Sequence, residues 1–277
     1  MFNTLLIQPL ANGLVVFYKL LFSDMGLAII GFSVFLRYAL NPLTKPYMES
    51  MKKMKDIAPS LDKLKKKYKD DKVKLTKAQA DLYKSKGINP GAGCLPYLLQ
   101  IVVLIAFFNM FNKTLSSENP TVAFNSLLYN PLRFPDGEII NTGFLGMDMT
   151  KPAVFQIPGI DFNIPGPLLI LSALAQFVSA KIMAPYEKVQ EKIAKKTPEA
   201  SDDFQVGMQK SMIYMFPLMT LFIGLRFPSG LALYWLVFSV FQAYQQYRSQ
   251  GWGGMTPWII KLGLLKSESN TKDVKKN

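Results

Sequence analysis

The sequence predicts an all-α polytopic membrane protein with five transmembrane helices, its N-terminus outside and its C-terminus inside. Three observations carry that prediction. Of the 277 residues, 49% are hydrophobic and only 18% charged, with a mean hydropathy of +0.15, too apolar and too segmented for an ordinary soluble domain. Five stretches, residues 25–43, 95–111, 162–180, 211–225 and 227–247, carry no charge apart from Arg37. The segments between them alternate in charge. Residues 44–87, 181–210 and 248–277 hold fourteen, six and six of the 32 basic residues, whereas 1–24 and 112–165 together hold only Lys19, Lys113, Arg133 and Lys151. The basic group belongs on the inside.

Residues 1–24 are apolar and aromatic but are interrupted by Pro9 and Gly13. An amphipathic helix lying on the outer leaflet, with a turn near Ser23-Asp24, fits them better than a span. Met1 opens directly into apolar sequence without a basic leader or a small-residue cleavage site, so no targeting signal is expected; a signal anchor is the alternative. The first span follows at 25–43. In the basic segment 44–88, Met51, Met54, Ile57, Leu61, Leu64 and Tyr68 recur at three- and four-residue steps. Leu75, Ala78 and Leu82 form a second set after the Lys69–Lys72 turn, and Gly87 stands where a helix cap belongs. This predicts a cytoplasmic antiparallel helical hairpin with a thin apolar seam.

The second span is 95–111. Residues 112–161, rich in Pro, Gly and aromatics, read as an ordered extracytoplasmic loop with short strands or helices. The third span is 162–180. The cytoplasmic loop 181–210 combines a short helix with a turn at Thr197–Asp203. Spans four, 211–225, and five, 227–247, are separated only by Arg226-Phe-Pro-Ser-Gly230 and so form a tight hairpin. The cytoplasmic tail 248–277 is basic and ends disordered.

Arg37 is the residue the spans are organised around. In a helix that begins near Asp24 it lies roughly 20 Å along the axis at about 1.5 Å per residue, inside a hydrocarbon core of roughly 30 Å. A guanidinium there costs between about 2.5 and 17 kcal/mol, depending on the reference, and so should face protein or a wet cavity. Snorkelling toward the nearer interface is the alternative. The other polar residues in apolar surroundings are Gln100, Gln176, Trp235 and Gln242. For Gln176 and Gln242 an interhelical hydrogen bond or an interface position is the better reading, and Trp235 by itself reads as a packing residue. Arg37 and Gln100 together suggest a positively charged cavity open toward the inside.

Enzyme signatures are absent: there is no Walker loop, no GxSxG elbow and no CxxC. The chain has no histidine and one cysteine, Cys94. No catalytic residue, metal or cofactor is expected, and an internal disulfide is excluded. The formal charge of +13 suggests an anionic partner, a lipid surface or nucleic acid. The spans lack the carboxylates of a proton-coupled carrier and show no inverted repeat.

Several motifs resemble a known family. Arg37–Lys45 (RYALNPLTK), Ser50–Met54 (SMKKM), Asn89–Gln100 (NPGAGCLPYLLQ), Phe144–Pro152 (FLGMDMTKP) and Phe227–Trp235 (FPSGLALYW), in this order, resemble the YidC/Oxa membrane protein insertase family. The resemblance is to a short bacterial member, without the large outer domain or the lipoprotein signal of other members, and with a longer outer segment than expected. It implies a five-helix core around a hydrophilic groove open to cytoplasm and lipid and closed outside. It assigns Arg37, Gln100 and Trp235 to the substrate-binding groove. It further implies a multi-pass protein of the bacterial cell (inner) membrane that inserts nascent membrane proteins without hydrolysing nucleotide. The implied partners are the Sec translocon, the ribosome, a targeting receptor and anionic lipids, but not DNA. The alternatives are a structural assembly partner of membrane complexes and a small-anion channel or carrier with Arg37 as its selectivity residue.

Overall fold

The structure is a computed structural model. It describes residues 2–42, 71–88, 95–156, 159, 162–184 and 200–265 and isolated positions between 53 and 68; the side chains of 72, 95–100, 200–210, 212 and 250 fall outside the description. The chain is mostly helical. Helix α1 (Gln8–Leu20) continues a π-helical turn, Asn3–Ile7. It is followed by α2 (Met25–Ala39), α3 (Lys72–Ser85), α4 (Leu95–Thr114), α5 (Pro120–Asn125), α6 (Pro167–Met183), α7 (Ala200–Gly224), α8 (Ser229–Gln250) and α9 (Thr256–Lys261). Two antiparallel ribbons, β1 (Gly143–Phe144) with β2 (Met147–Asp148) and β3 (Val154–Gln156) with β4 (Asn163–Pro165), complete the fold. Among the described residues no helix is long and apolar enough to cross a membrane.

Local chemistry explains most of the boundaries. Asp24 caps α2 by accepting from the Leu27 amide at 2.8 Å. The turn before it carries Phe22 and Ser23 at positive φ, where the sequence places a turn. Pro9 stands at the second position of α1, directly after the π-helical turn, where the regular helical ladder is already interrupted. Gly13 lets α1 come close to α2, since a Cβ there would run into the Phe32 ring. The second helix of the expected hairpin exists as α3. Asp71 caps its start, accepting from Lys74 N–H at 3.0 Å, and Gly87 at φ +60° closes its end, with Ile88 N–H bonded to Tyr83 O. Most of the hairpin's first helix, residues 89–94 of the Cys94 motif, the loop residues 185–199 and the tail beyond 265 lie outside the described residues.

Three expected boundaries differ. Residues 163–165, assigned to the third span, are strand β4, and α6 starts at Pro167 after Gly166. The Pro165-Gly-Pro167 sequence explains this, because Gly166 takes an extended conformation and Pro167 suits the first helical turn. Helix α7 begins at Ala200 rather than Ser211, so Ala200–Asp203, read as part of a turn, are helical. Acidic residues are favoured in a first helical turn as well as in turns, so the sequence Asp202-Asp203 is compatible with either. The tail assigned from Arg248 starts as the last turn of α8 and continues through α9.

The apolar core joins α1, α2, α4, α8 and the segment between α4 and α6. Phe107 of α4 stacks on Tyr234 of α8 at 4.2 Å and lies 6.0 Å from Phe32 of α2. Helices α6 and α8 pack most extensively, and Ser172 of α6 donates to Ala232 O of α8 at 2.7 Å. Gln176 makes the interhelical hydrogen bond expected of it, accepting from Thr220 of α7 at 2.7 Å while 6% exposed.

The described residues between 115 and 165 form a cap over one end of this core, built of short elements as the sequence predicts. Buried Asn12 of α1 donates to Leu127 O at 3.1 Å and accepts from Tyr129 N–H at 2.8 Å. The Tyr18 hydroxyl accepts from Asn141 N–H at 2.8 Å, and Lys19 donates to Leu132 O. Phe144 sits on Gly26 of α2, where no Cβ would fit. Asp148 is the hub, with one oxygen accepting from Thr142 Oγ at 3.0 Å and from the amide and hydroxyl of Thr150 at 3.0 and 2.7 Å. Burial alone would raise its carboxyl pKa. The Thr150 and Thr142 hydrogen bonds and the Lys151 charge outweigh that and hold it below the usual carboxylate value. The start of α8 is sewn to this hub: Ser229 N–H donates to Lys151 O at 2.7 Å, Gly230 N–H to Met149 O at 3.1 Å, and Ser229 Oγ to Asp148 O at 2.8 Å.

Candidate functional site

Helices α2 and α8 run side by side in the same direction: Ile29 of α2 lies near Gly230 at the start of α8, and Arg37 near Gln245 toward its end. The Asp24 cap fixes the register of α2 and puts Arg37 in its last turn. A cation there also meets the negative end of the helix dipole.

The side chain of Arg37 is half-buried and oriented from α8. Its Nε donates to Gln245 Oε1 at 3.0 Å, and its guanidinium carbon lies 4.5 Å from the centre of the Phe238 ring. Gln245 in turn donates from Nε2 to Asn41 Oδ1 at 3.3 Å. Tyr38, 61% exposed, meets Phe241 edge-on at 5.1 Å. The planar guanidinium suits this clamp, since one edge takes the amide while a face takes the ring. Arginine stays charged at any working pH. What such a group can do is hold an anion.

Gln100 lies on α4, but its side chain falls outside the description. Trp235 lies on α8 one turn before Phe238 and is 7% exposed, within the apolar core. The contacts described for Arg37 thus bring in Gln245 and Phe238, and Asn41 through Gln245, none of which the sequence reading singled out. The signal for them was slight. Phe238, Phe241 and Gln245 are spaced three and four residues apart on one face of α8, with an amide where the apolar pattern calls for an apolar side chain. Two clefts of about 770 and 480 Å³ lie in the cap, not beside Arg37. Among the described residues no group of acidic, cysteine or histidine side chains could hold a metal ion.

Comparison with known proteins gives one family. Residues 16–252 match the family described as 60Kd inner membrane protein. The chain is 35% identical over 225 residues to the membrane protein insertase YidC of Chlorobium luteolum, covering 81% of this chain and 33% of that protein. The insertase YidC of Fusobacterium nucleatum subsp. nucleatum is 30% identical over 224 residues, covering 81% of this chain and 85% of its own length. That of Syntrophobacter fumaroxidans is 31% identical over 245 residues, covering 88% and 37%. The chain therefore spans about a third of the length of the Chlorobium and Syntrophobacter relatives and most of the Fusobacterium one.

Proposed function

We propose, because the chain belongs to the 60Kd inner membrane protein (YidC/Oxa) family, that it is a bacterial inner-membrane insertase that moves short hydrophobic segments with acidic tails from cytoplasm into the bilayer. On this reading α2, α4, α6, α7 and α8 provide five spans, N-terminus out and C-terminus in, with 1–24 and 112–161 outside and the hairpin 44–88, the loop 181–210 and the tail 248–277 inside. The distribution of basic residues supports that orientation. The spanning reading is also supported by the large apolar side chains these helices expose, among them Ile105, Leu174, Met215, Phe222 and Val240, at 45–69% of their surface.

The observation that carries the function is Arg37, half-buried and held in orientation by Gln245 and Phe238. An acidic residue arriving from the inside would meet a charge already in place. At an effective dielectric of about 20, a pair at 4 Å is worth roughly 4 kcal/mol. That is close to the roughly 2.5–3.5 kcal/mol an acidic residue costs in a span on insertion scales, strong enough to recruit the tail and weak enough to release it. Gln100 and Trp235 belong to the same groove, with Trp235 supporting it from the core. No bond is made or broken, so the reaction needs no catalytic residue, metal or nucleotide. Nascent membrane proteins are the substrates, inserted alone or beside the Sec translocon; the ribosome, a targeting receptor or anionic lipid meets the basic inner side.

The test is insertion of a short substrate with an acidic tail into vesicles containing the purified protein. Arg37→Ala abolishes insertion, and Arg37→Lys, which keeps the charge but not the clamp, largely retains it. Equal insertion by Arg37→Ala and the unmodified chain would remove the charge from the mechanism.

A further inference from the structure

Beyond Gln250 the chain does not leave the helices at once. The turn Gly253–Met255 and helix α9 fold back on the C-terminal end of α6. Gly254 N–H donates to Ala184 O at 2.8 Å, and a Cβ on Gly253 would collide with the Ile182 carbonyl. Ile259 points inward at 8% exposure. The Trp258 ring lies 5.8 Å from the ring of Phe177 and 5.7 Å from the amine of buried Lys181. Helix α9 then closes with Gly263 N–H on Ile260 O and Leu264 N–H on Ile259 O, Gly263 standing at φ +73°. This doubly bonded end is the one a left-handed glycine permits.

The closure holds apolar side chains on a fixed outward surface. Leu262 and Leu264 are 70% and 71% exposed, beside Trp258 at 46% and Leu265. Arg248 and Lys261, both exposed, flank them and Lys266 follows; from Arg248 to Lys266 there is no acidic residue. The patch runs on through Phe177 to the exposed ring of Tyr214 on α7, 5.7 Å from Phe177.

We infer that this capped segment is an interfacial anchor for an anionic membrane leaflet. Trp258, Leu262 and Leu264 enter the headgroup layer, while Lys261 and Arg248 meet lipid phosphates. The inference rests on the spanning reading above, which sets the ends of α6 and α8 at the inner surface. Exposed leucines interleaved with cations and no acid suit a lipid interface, and a tryptophan beside the helix ends belongs to the aromatic belt found there. An RNA-binding face would use the cations and leave the leucines without a role.

The test uses the full chain in vesicles, with Cys94→Ser and Leu265→Cys, the new cysteine carrying a bimane label. In vesicles of phosphatidylcholine and phosphatidylglycerol the label is quenched by lipid spin-labelled near the headgroup and is shielded from aqueous iodide. Each cation removed, as in Lys261→Gln, weakens the partition of the segment about fivefold. Pure phosphatidylcholine and Leu262→Asp with Leu264→Asp also release it. The same label at Leu174, exposed on α6, reports the spans separately. Lipid quenching at Leu174 with Leu265 open to iodide overturns the anchor and leaves the spans standing; iodide access at both overturns both. Shielding at Leu265 that appears only on adding ribosomes also overturns the anchor and gives the patch to the ribosome.

Discussion

The cap and the Arg37 end both place polar groups among apolar ones, and they do so by opposite means. In the cap, side chains spend their hydrogen bonds mostly on backbone, although the Thr142 and Thr150 hydroxyls bond the Asp148 carboxylate. Asn12 holds Leu127 and Tyr129, Asn125 pairs both ways with Phe134, Thr121 holds Glu138 O, and the Asp148 hub is tied to the start of α8. At the other end, Arg37, Gln245 and Asn41 are linked side chain to side chain. Backbone partners cannot move without unfolding a loop, whereas side-chain partners can turn aside for an incoming group. On the proposed function, the cap stays closed while the Arg37 end exchanges partners.

The contrast can be broken most sharply at Gly26. Gly26→Val drives a side chain into Phe144, and overpacking of this kind costs about 3 kcal/mol; a fall in the thermal unfolding midpoint in detergent, together with faster hydrogen exchange across residues 140–150, would show it. Next comes Asn12→Leu, which leaves a buried carbonyl and an amide without their partner at a cost of about 2 kcal/mol, read by the same midpoint. Asp148 gives a smaller effect with a sign. Its carboxyl is depressed in the folded state, so its contribution is present above the unfolded value near 3.9 and is lost as pH falls through the lower folded value. The midpoint should drop in that acid window, and Asp148→Asn should flatten the drop. The smallest change in stability is expected at the Arg37 end, where Gln245→Leu costs less than about 1 kcal/mol and, like Arg37→Lys, leaves most insertion of acidic-tailed substrates in place. A midpoint loss there as large as that of Asn12→Leu would erase the distinction between the two ends.

Much of this was legible from residue patterns. Asp24 before an apolar run marks a helix start, Gly87 a helix end, and a lone arginine in an apolar stretch marks a candidate site, because each signal lies within a few residues. The beginning of α7 was not legible, since Asp202-Asp203 suits a turn and a first helical turn equally well. The partner of Arg37 was not legible either. Gln245 stands 208 positions away among several glutamines of α8, and only packing decides which amide arrives. Asn12 was hidden for the same reason, as one amide in an apolar helix whose partners lie across the chain.

That separation has a consequence in time. The Asn12–Tyr129 hydrogen bond joins residues 117 positions apart. At a synthesis rate of about 5–20 residues per second, roughly 6–23 s pass between the making of the asparagine and the making of its partner. For that interval the first helix exists without the segment that will hold it, so part of the order in which this chain can mature is written into this contact: N-terminal helix first, its lock only after α4 is complete.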